Sequence, residues 1–351
     1  MHRISILCGA ALLALVATLA AASSPAVDAT ARGAAFIRST QQPDGGFGGF
    51  GDGQTMDAVF ALRAAGIDPN TVTTGGTSPA DFLKAKAPAQ TKPGSAAKAA
   101  LAAKALGLDP RAVAGTDLVS AISTAYNPAD GRFAADDFTQ GLALVGLGCT
   151  GNGVPASAVL ALRHSQGADG GWGFEGASDP DTTAIVVQGL IAAGVPRDDT
   201  AVAKAVAYFR ATQSTDGGWG FDPSESNASS TAFVVQALLA AHEDAEGAAY
   251  RRGTDTPLTF LLAQQLPDGS FKGFDPAFAT NQVLPALAGR SFCDAPNTVV
   301  RPASAAPSAT PKPPATGTGT AGEAAVPWFA AGAASVLALS LVASALVLRR
   351  H

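Results

Sequence analysis

The sequence predicts an all-α protein: six helical hairpins closed into a ring with an inner and an outer layer. Three observations carry that expectation. A short signature recurs along the 351 residues, helical segments alternate between amphipathic and wholly apolar, and strand signals are nearly absent.

The signature is Gln-x-x-Asp-Gly-Gly-aromatic-Gly. It occupies residues 41–48, 166–173 and 213–220, recurs at 265–271 with Ser270 for the second glycine, and survives in worn form at 127–133. Aligning Asp44, Asp130, Asp169, Asp216 and Asp268 leaves one gap of double length, which residues 90–94 fill, so the repeats number six. Each has one helix before its loop and one after. The following helices, at 55–65, 95–106, 137–147, 182–193, 230–241 and 279–288, are mostly apolar around the full circumference, as buried helices are. The preceding helices are amphipathic: Val202, Val206 and Phe209 share a face, while Lys204 and Arg210 point elsewhere. Gly66, Gly107 and Gly194 read as left-handed helix stops, and Ser78-Pro79 and Thr256-Pro257 as capped starts. Twelve helices arranged this way bury both layers when the ring closes.

The signature has a structural task in this scheme. Its glycines permit a tight loop from outer to inner helix, Trp172, Trp219, Phe47 and Phe271 pack beneath, and Gln41, Gln166, Gln213 and Gln264 or Gln265 offer amides to nearby helix ends.

Both ends of the chain carry other signals. A basic start at His2-Arg3, an apolar run over residues 4–22 and small-residue sites near Ala22 and Ala29 suggest a secretory signal peptide over residues 1–29, which takes Cys8 with it. The ring is expected over residues 30–298. Residues 299–326 are rich in Pro, Ala, Thr and Gly, a linker composition. Residues 327–351 read as a transmembrane anchor whose terminal Arg349 and Arg350 put the C-terminus in the cytoplasm. The segment at Pro313-Pro314-Ala315-Thr316-Gly317 also resembles a Gram-positive cell-wall sorting signal, with Pro313 where that motif has leucine. The expected location is therefore the cell surface. Cys149 and Cys293, ending the third and sixth inner helices, are read as separate thiols rather than a pair. A net charge of −5 without a basic cluster in the ring excludes nucleic acid as a partner.

The signature resembles the repeat of the prenyltransferase/squalene-cyclase superfamily, whose members fold as α/α toroids; a more distant resemblance is to the animal cobalamin carriers. Within it, Asp179-Pro180-Asp181-Thr182-Thr183-Ala184 is similar to the Asp-x-Asp-Asp-Thr-Ala stretch of class II terpene cyclases. That resemblance implies that Asp181 protonates an alkene with Asp179 beside it, although Thr182 replaces the last aspartate. The plainer reading is that both acids complement a helix N-terminus. The next repeat keeps Thr231-Ala232 without the acids, so Thr-Ala is architecture.

Other chemistries find less. Only His164 and His242 lie in the ring, and no metal or cofactor is expected. Asp57, Asp136, Asp137 and Asp181 hold carboxylates for a polysaccharide-active or wall-binding ring, with no spacing that selects a pair. Inner-helix aromatics are few, Phe60, Phe138, Phe233 and Phe278, and triterpene cyclases resemble two fused toroids where this chain has one. The leading expectation is therefore capture without turnover of an apolar or corrinoid-like ligand, alone or with a surface partner subunit. Gln188, Gln236, Gln140 and Phe233 would line its site. The alternative is a small terpene-cyclase-like enzyme using Asp181.

Overall fold

The computed structural model describes residues 24–222 and 224–298. These form twelve α-helices. The outer layer holds α1 (Pro25–Ser39), α3 (Pro79–Lys86), α5 (Leu118–Ser123), α7 (Ala156–Ser165), α9 (Thr200–Thr212) and α11 (Pro257–Ala263). The inner layer holds α2 (Asp52–Ala64), α4 (Pro93–Ala105), α6 (Asp137–Cys149), α8 (Pro180–Ala192), α10 (Ala228–Ala240) and α12 (Pro276–Leu287). Each inner helix packs on the next, and α12 packs back on α2, so the ring closes. Outer helices sit in the seams, α1 against α2 and α12, α5 against α4 and α6.

The signature residues hold this arrangement as expected. Each signature glutamine donates from Nε2 twice, once within its own loop and once to the neighbouring repeat. Gln213 reaches Gly217 O and Tyr250 O, both at 2.8 Å, and Gln166 reaches Gly170 O and Ala201 O at the same distance. The last is Gln265, not Gln264, and its donation to Ala29 O at 2.8 Å joins the sixth repeat to the first. Each signature aspartate accepts from the backbone two residues on, as Asp216 does from Gly218 N. The aromatic residue then donates its backbone N–H to a threonine on the following inner helix: Phe47 to Thr55, Trp172 to Thr183, Trp219 to Thr231 and Phe271 to Thr280, each at 2.9 Å. That bond is the physical content of the repeated Thr-Ala. Trp172 and Trp219 are buried, and their indole N–H groups donate to Leu162 O and Phe209 O.

Three features differ from the sequence expectation. The fourth repeat's loop is a β-hairpin, β1 (Trp172–Phe174) against β2 (Ala177–Asp179). Its tip, Glu175-Gly176, has φ of 51° and 84°, the two positive angles that a tight two-residue turn requires. Periodicity over three residues is too short to announce it.

The ring also begins earlier than residue 30. Ser24 caps α1, and Ala29 is buried and accepts the ring-closing bond, so residues 25–29 belong to the fold. The rest of the expected signal segment, the linker and the anchor lie outside the described residues. Among the described residues, no helix is long and apolar enough to cross a membrane.

The third difference is the pairing of Cys149 with Cys293, whose Cα atoms are 5.0 Å apart. Assigning Cys293 to the end of the sixth inner helix put the two on opposite sides. In fact α12 ends at Leu287, the chain reverses at Gly289 (φ 67°), and residues 291–298 cross the ring to the end of α6. Ala295 and Pro296 are buried there, and their short helical turn packs on α2 and α4.

Candidate active site

The tail at 291–298 identifies which inner-helix faces look into the lumen. Phe292 N donates to Gln188 Oε1 on α8 at 3.0 Å, and its ring meets Phe60 of α2 edge-on, with centroids 5.7 Å apart. Helices α2 and α8 are opposite members of the ring, so these contacts span it. Residues three, four or seven positions away on the same helix share that face. Asp181 lies seven before Gln188, and Asp57 three before Phe60. Nearer the helix N-termini, Phe138 of α6 and Phe233 of α10 meet edge-on at 6.4 Å, bridging across α8. Phe60, Phe138, Phe233 and Phe292 therefore meet in the interior of the ring, where the tail crosses it.

The two candidate acids have different jobs. Asp179 precedes α8 with an extended backbone, and its Oδ1 accepts from Thr182 N at 2.7 Å: it is the N-cap. Burial pushes its carboxyl above the ordinary range, and the bonds from Thr182 pull it partly back. Asp181, two residues into the helix, is not the cap. Its Oδ1 is shut off from solvent and has no hydrogen-bond partner among the described residues. Burial raises its carboxyl to about 7, against a pull from the neighbouring Ser230 hydroxyl and with a further push from the Asp179 charge. Tyr208, on outer helix α9, is buried close to both acids, which together with burial drive its phenol well above the usual value.

The expected ligand-binding glutamines fare differently. Gln140 is fully buried and spent on its own loop: Oε1 accepts from Phe133 N, and Nε2 donates to Gly131 O and Ala158 O. It takes the place of the repeat's threonine, which removes it from the lining. Gln236 Nε2 bonds Gln282 O on the adjacent helix at 3.0 Å, a helix-to-helix tie. Gln188 holds the tail, and its Nε2 has no partner among the described residues. Asn227 is the N-cap of α10. The carboxylates Asp136 and Asp137 also stay at the rim, where Asp136 caps α6 and Asp137 pairs with Arg132 at 2.8 Å.

Two features escaped the sequence reading. Phe292 follows the last helix, where nothing in the local sequence marks it as lumenal. The Asp57–Lys98 pair, 2.8 Å apart and facing each other from α2 and α4, links residues 41 positions apart.

A double-layered ring of six helical hairpins, with a buried carboxyl group near the N-terminus of one inner helix, is an α/α toroid. The ring resembles the toroids of the prenyltransferase/squalene-cyclase superfamily. Residues 147–282 match the family model of the Squalene-hopene cyclase C-terminal domain, a span that includes the Asp179–Asp181 stretch. Among solved structures, the type II terpene cyclase MstE from Scytonema is similar at a TM-score of 0.57 and 15% identity, over 75% of this chain and 98% of that one. A protein from Actinoplanes is similar at 0.56 and 16% identity, over 75% and 99%. A glycosidase variant in complex with glucose is similar at 0.53 and 15%, over 78% and 98%. No curated protein sequence matches the chain.

Proposed function

We propose that the ring is a small class II terpene-cyclase-like enzyme in which Asp181 protonates an alkene of a polyprenyl substrate. The observation that carries this reading is the state of Asp181. Its helix position places it on the same face as Gln188, burial raises its carboxyl to about 7, and one oxygen has no partner among the described residues. Capping accounts for Asp179; Asp181 lies in the first turn of α8, where its charge would complement the helix N-terminus, and makes no cap hydrogen bond of its own.

In the proposed first step the carboxyl O–H bond breaks, a C–H bond forms on the terminal alkene carbon, and a tertiary cation results. The Ser230 hydroxyl beside Asp181 stabilises the carboxylate left behind. The faces of Phe60, Phe138, Phe233 and Phe292 offer quadrupoles to the migrating charge.

Of the grounds for capture without turnover, the incomplete acid motif, with Thr182 for the last aspartate, stands, and two others weaken. One was that triterpene cyclases resemble two fused toroids, yet the type II terpene cyclase MstE is covered over 98% of its length by this single ring. The other was the scarcity of inner-helix aromatics, to which the tail adds Phe292. A variant of MstE has been solved in complex with geranylgeranyl dihydroxybenzoate, so prenylated aromatic acids join squalene and linear polyprenols as substrates to offer.

The test is incubation of the purified protein with these substrates and analysis by gas chromatography and mass spectrometry. Cyclised product from the native protein, lost in Asp181→Asn, supports the enzyme. Retention of unchanged substrate by both proteins returns the ring to a capture role.

A further inference from the structure

We propose that the cleft between the third repeat's loop and the β1–β2 hairpin binds a neutral sugar residue. The Phe174 ring stacks on the sugar's apolar face, and Arg132, Asp137 and Glu175 exchange hydrogen bonds with its hydroxyls. Asp181 does not line this cleft, so the assignment is independent of the proposed cyclisation.

The cleft has a volume of about 560 Å³ and lies at the end of the ring where α6 and α8 begin. Residues 132–137 and the hairpin both line it, as does Ser165, the last residue of α7. Asp137 lines it although only 8% exposed, and its Oδ1 accepts from Arg132 Nη1 at 2.8 Å and from the Ser165 hydroxyl at 2.9 Å. Those bonds hold the guanidinium in place, while its Nη2 donates to none of the described residues. Packing does not account for the hairpin's end. Phe174 is 52% exposed, Glu175 is exposed as well, and neither side chain makes a hydrogen bond or ring contact among the described residues. Glu175 also holds φ of 51°, an angle that glycine or asparagine adopts more readily. Backbone of this kind clusters at ligand sites. Among the described residues, the fourth repeat's loop alone forms a two-stranded sheet.

The lining selects against charged ligands. One guanidinium stands with three carboxylates, Asp136, Asp137 and Glu175, so a phosphate or carboxylate group meets net negative charge. A cation gains little in exchange. Asp137 is neutralised by Arg132, Asp136 Oδ1 accepts from Thr139 N at 2.7 Å as the N-cap of α6, and the guanidinium repels it. A hydroxyl suits both kinds of group, since it accepts from Arg132 Nη2 and donates to a carboxylate. A pyranose carries several hydroxyls, and its C–H groups match the negative face of an exposed phenyl ring.

Isothermal titration calorimetry of the purified protein tests the site without any turnover. The probes are cellobiose and N,N′-diacetylchitobiose, each up to about 10 mM, with anionic cellobionate and cationic chitobiose as their charged counterparts. At least one neutral disaccharide is expected to bind saturably, and its charged counterpart more weakly. Phe174→Ala and Glu175→Gly should each weaken that binding by about tenfold or more. Both side chains are exposed and the glycine suits the positive φ, so these variants should melt no lower than the native protein. Arg132→Lys, which keeps the charge beside Asp137 and removes the fork, should weaken binding as well. Asp181→Asn should leave it unchanged, which separates this site from the proposed cyclase. No saturable binding of either neutral disaccharide overturns the assignment, as does a charged counterpart that binds as tightly or more tightly. Sugar binding that Phe174→Ala and Glu175→Gly leave intact lies elsewhere on the ring and overturns it too.

Discussion

At the scale of single residues, two aspartates separated by Pro180 differ in their surroundings. Asp179 accepts from the backbone at the start of α8, and Asp181 in the first turn is buried with its carboxyl raised to about 7. Replacing Asp181 with Asn should lower turnover by about 10²–10⁴, the usual contribution of a positioned acid. The native rate should fall as pH rises through about 7, where the carboxyl ionises. Stability carries the same sign. The folded pKa lies above the ordinary 3.8, so this group's contribution is full below pH 3.8 and is lost as pH rises through about 7. Melting curves between pH 4 and 8 should therefore decline less steeply for Asp181→Asn; an unchanged slope would mean that the carboxyl is hydrated and ordinary. The sequence displayed both acids but not their division of labour, because the capping position depends on where the helix begins. A second residue effect belongs to His242. It holds φ of 60° at the end of α10, where Gly66, Gly107 and Gly194 end other inner helices. His242→Gly should stabilise the protein by about 1 kcal/mol, measurable by urea titration.

At the scale of elements, the signature loop is a small machine for joining two helices. Asp bonds its own turn, Gln ties the next repeat, and the aromatic backbone N–H docks on a threonine below. Trp219 is fully buried and also bonded through its indole, so Trp219→Ala should cost about 3–5 kcal/mol in denaturant unfolding. Retained stability would mean that the loop does not rely on its aromatic residue. The inner and outer helices were legible because burial writes directly into periodicity. The worn third repeat was only half legible: Gln140 stands at its threonine position and satisfies the loop itself, so its lumenal assignment failed. The hairpin and the tail carry no repeated pattern, and their placement depends on contacts between residues far apart in sequence. Cys149–Cys293 is the clearest case, at a separation of 144 residues. Serine at both positions should cost about 2–5 kcal/mol by the usual effect of removing a native disulfide, read as a lowered melting temperature under non-reducing conditions.

At the scale of the molecule, the ring is closed by contacts between its first and last repeats. Gln265 reaches Ala29, Gln54 Nε2 reaches Asp275 at 3.2 Å, and Asn281 donates to Gln54 O. Unfolding should accordingly be a single cooperative transition by both circular dichroism and tryptophan fluorescence. Two separated transitions would show that half-rings are stable alone. We propose that the protein is exported, and the position of α1 supports cleavage near Ala22 rather than after Ala29. N-terminal sequencing of secreted material should begin close to Ser23, since removing residues 25–29 would strip the acceptor from the ring-closing bond. A mature start at Thr30 would contradict that proposal. The number and order of the repeats were legible in the sequence, whereas export rests on residues beyond those described.

The tail has a consequence for timing. The last part of the ring to leave the ribosome is the part that seals the lumen, and a covalent bond fastens it to a helix made much earlier. If the proposed export delivers the protein to an oxidising environment, the bond that fastens the tail to α6 forms only on arrival.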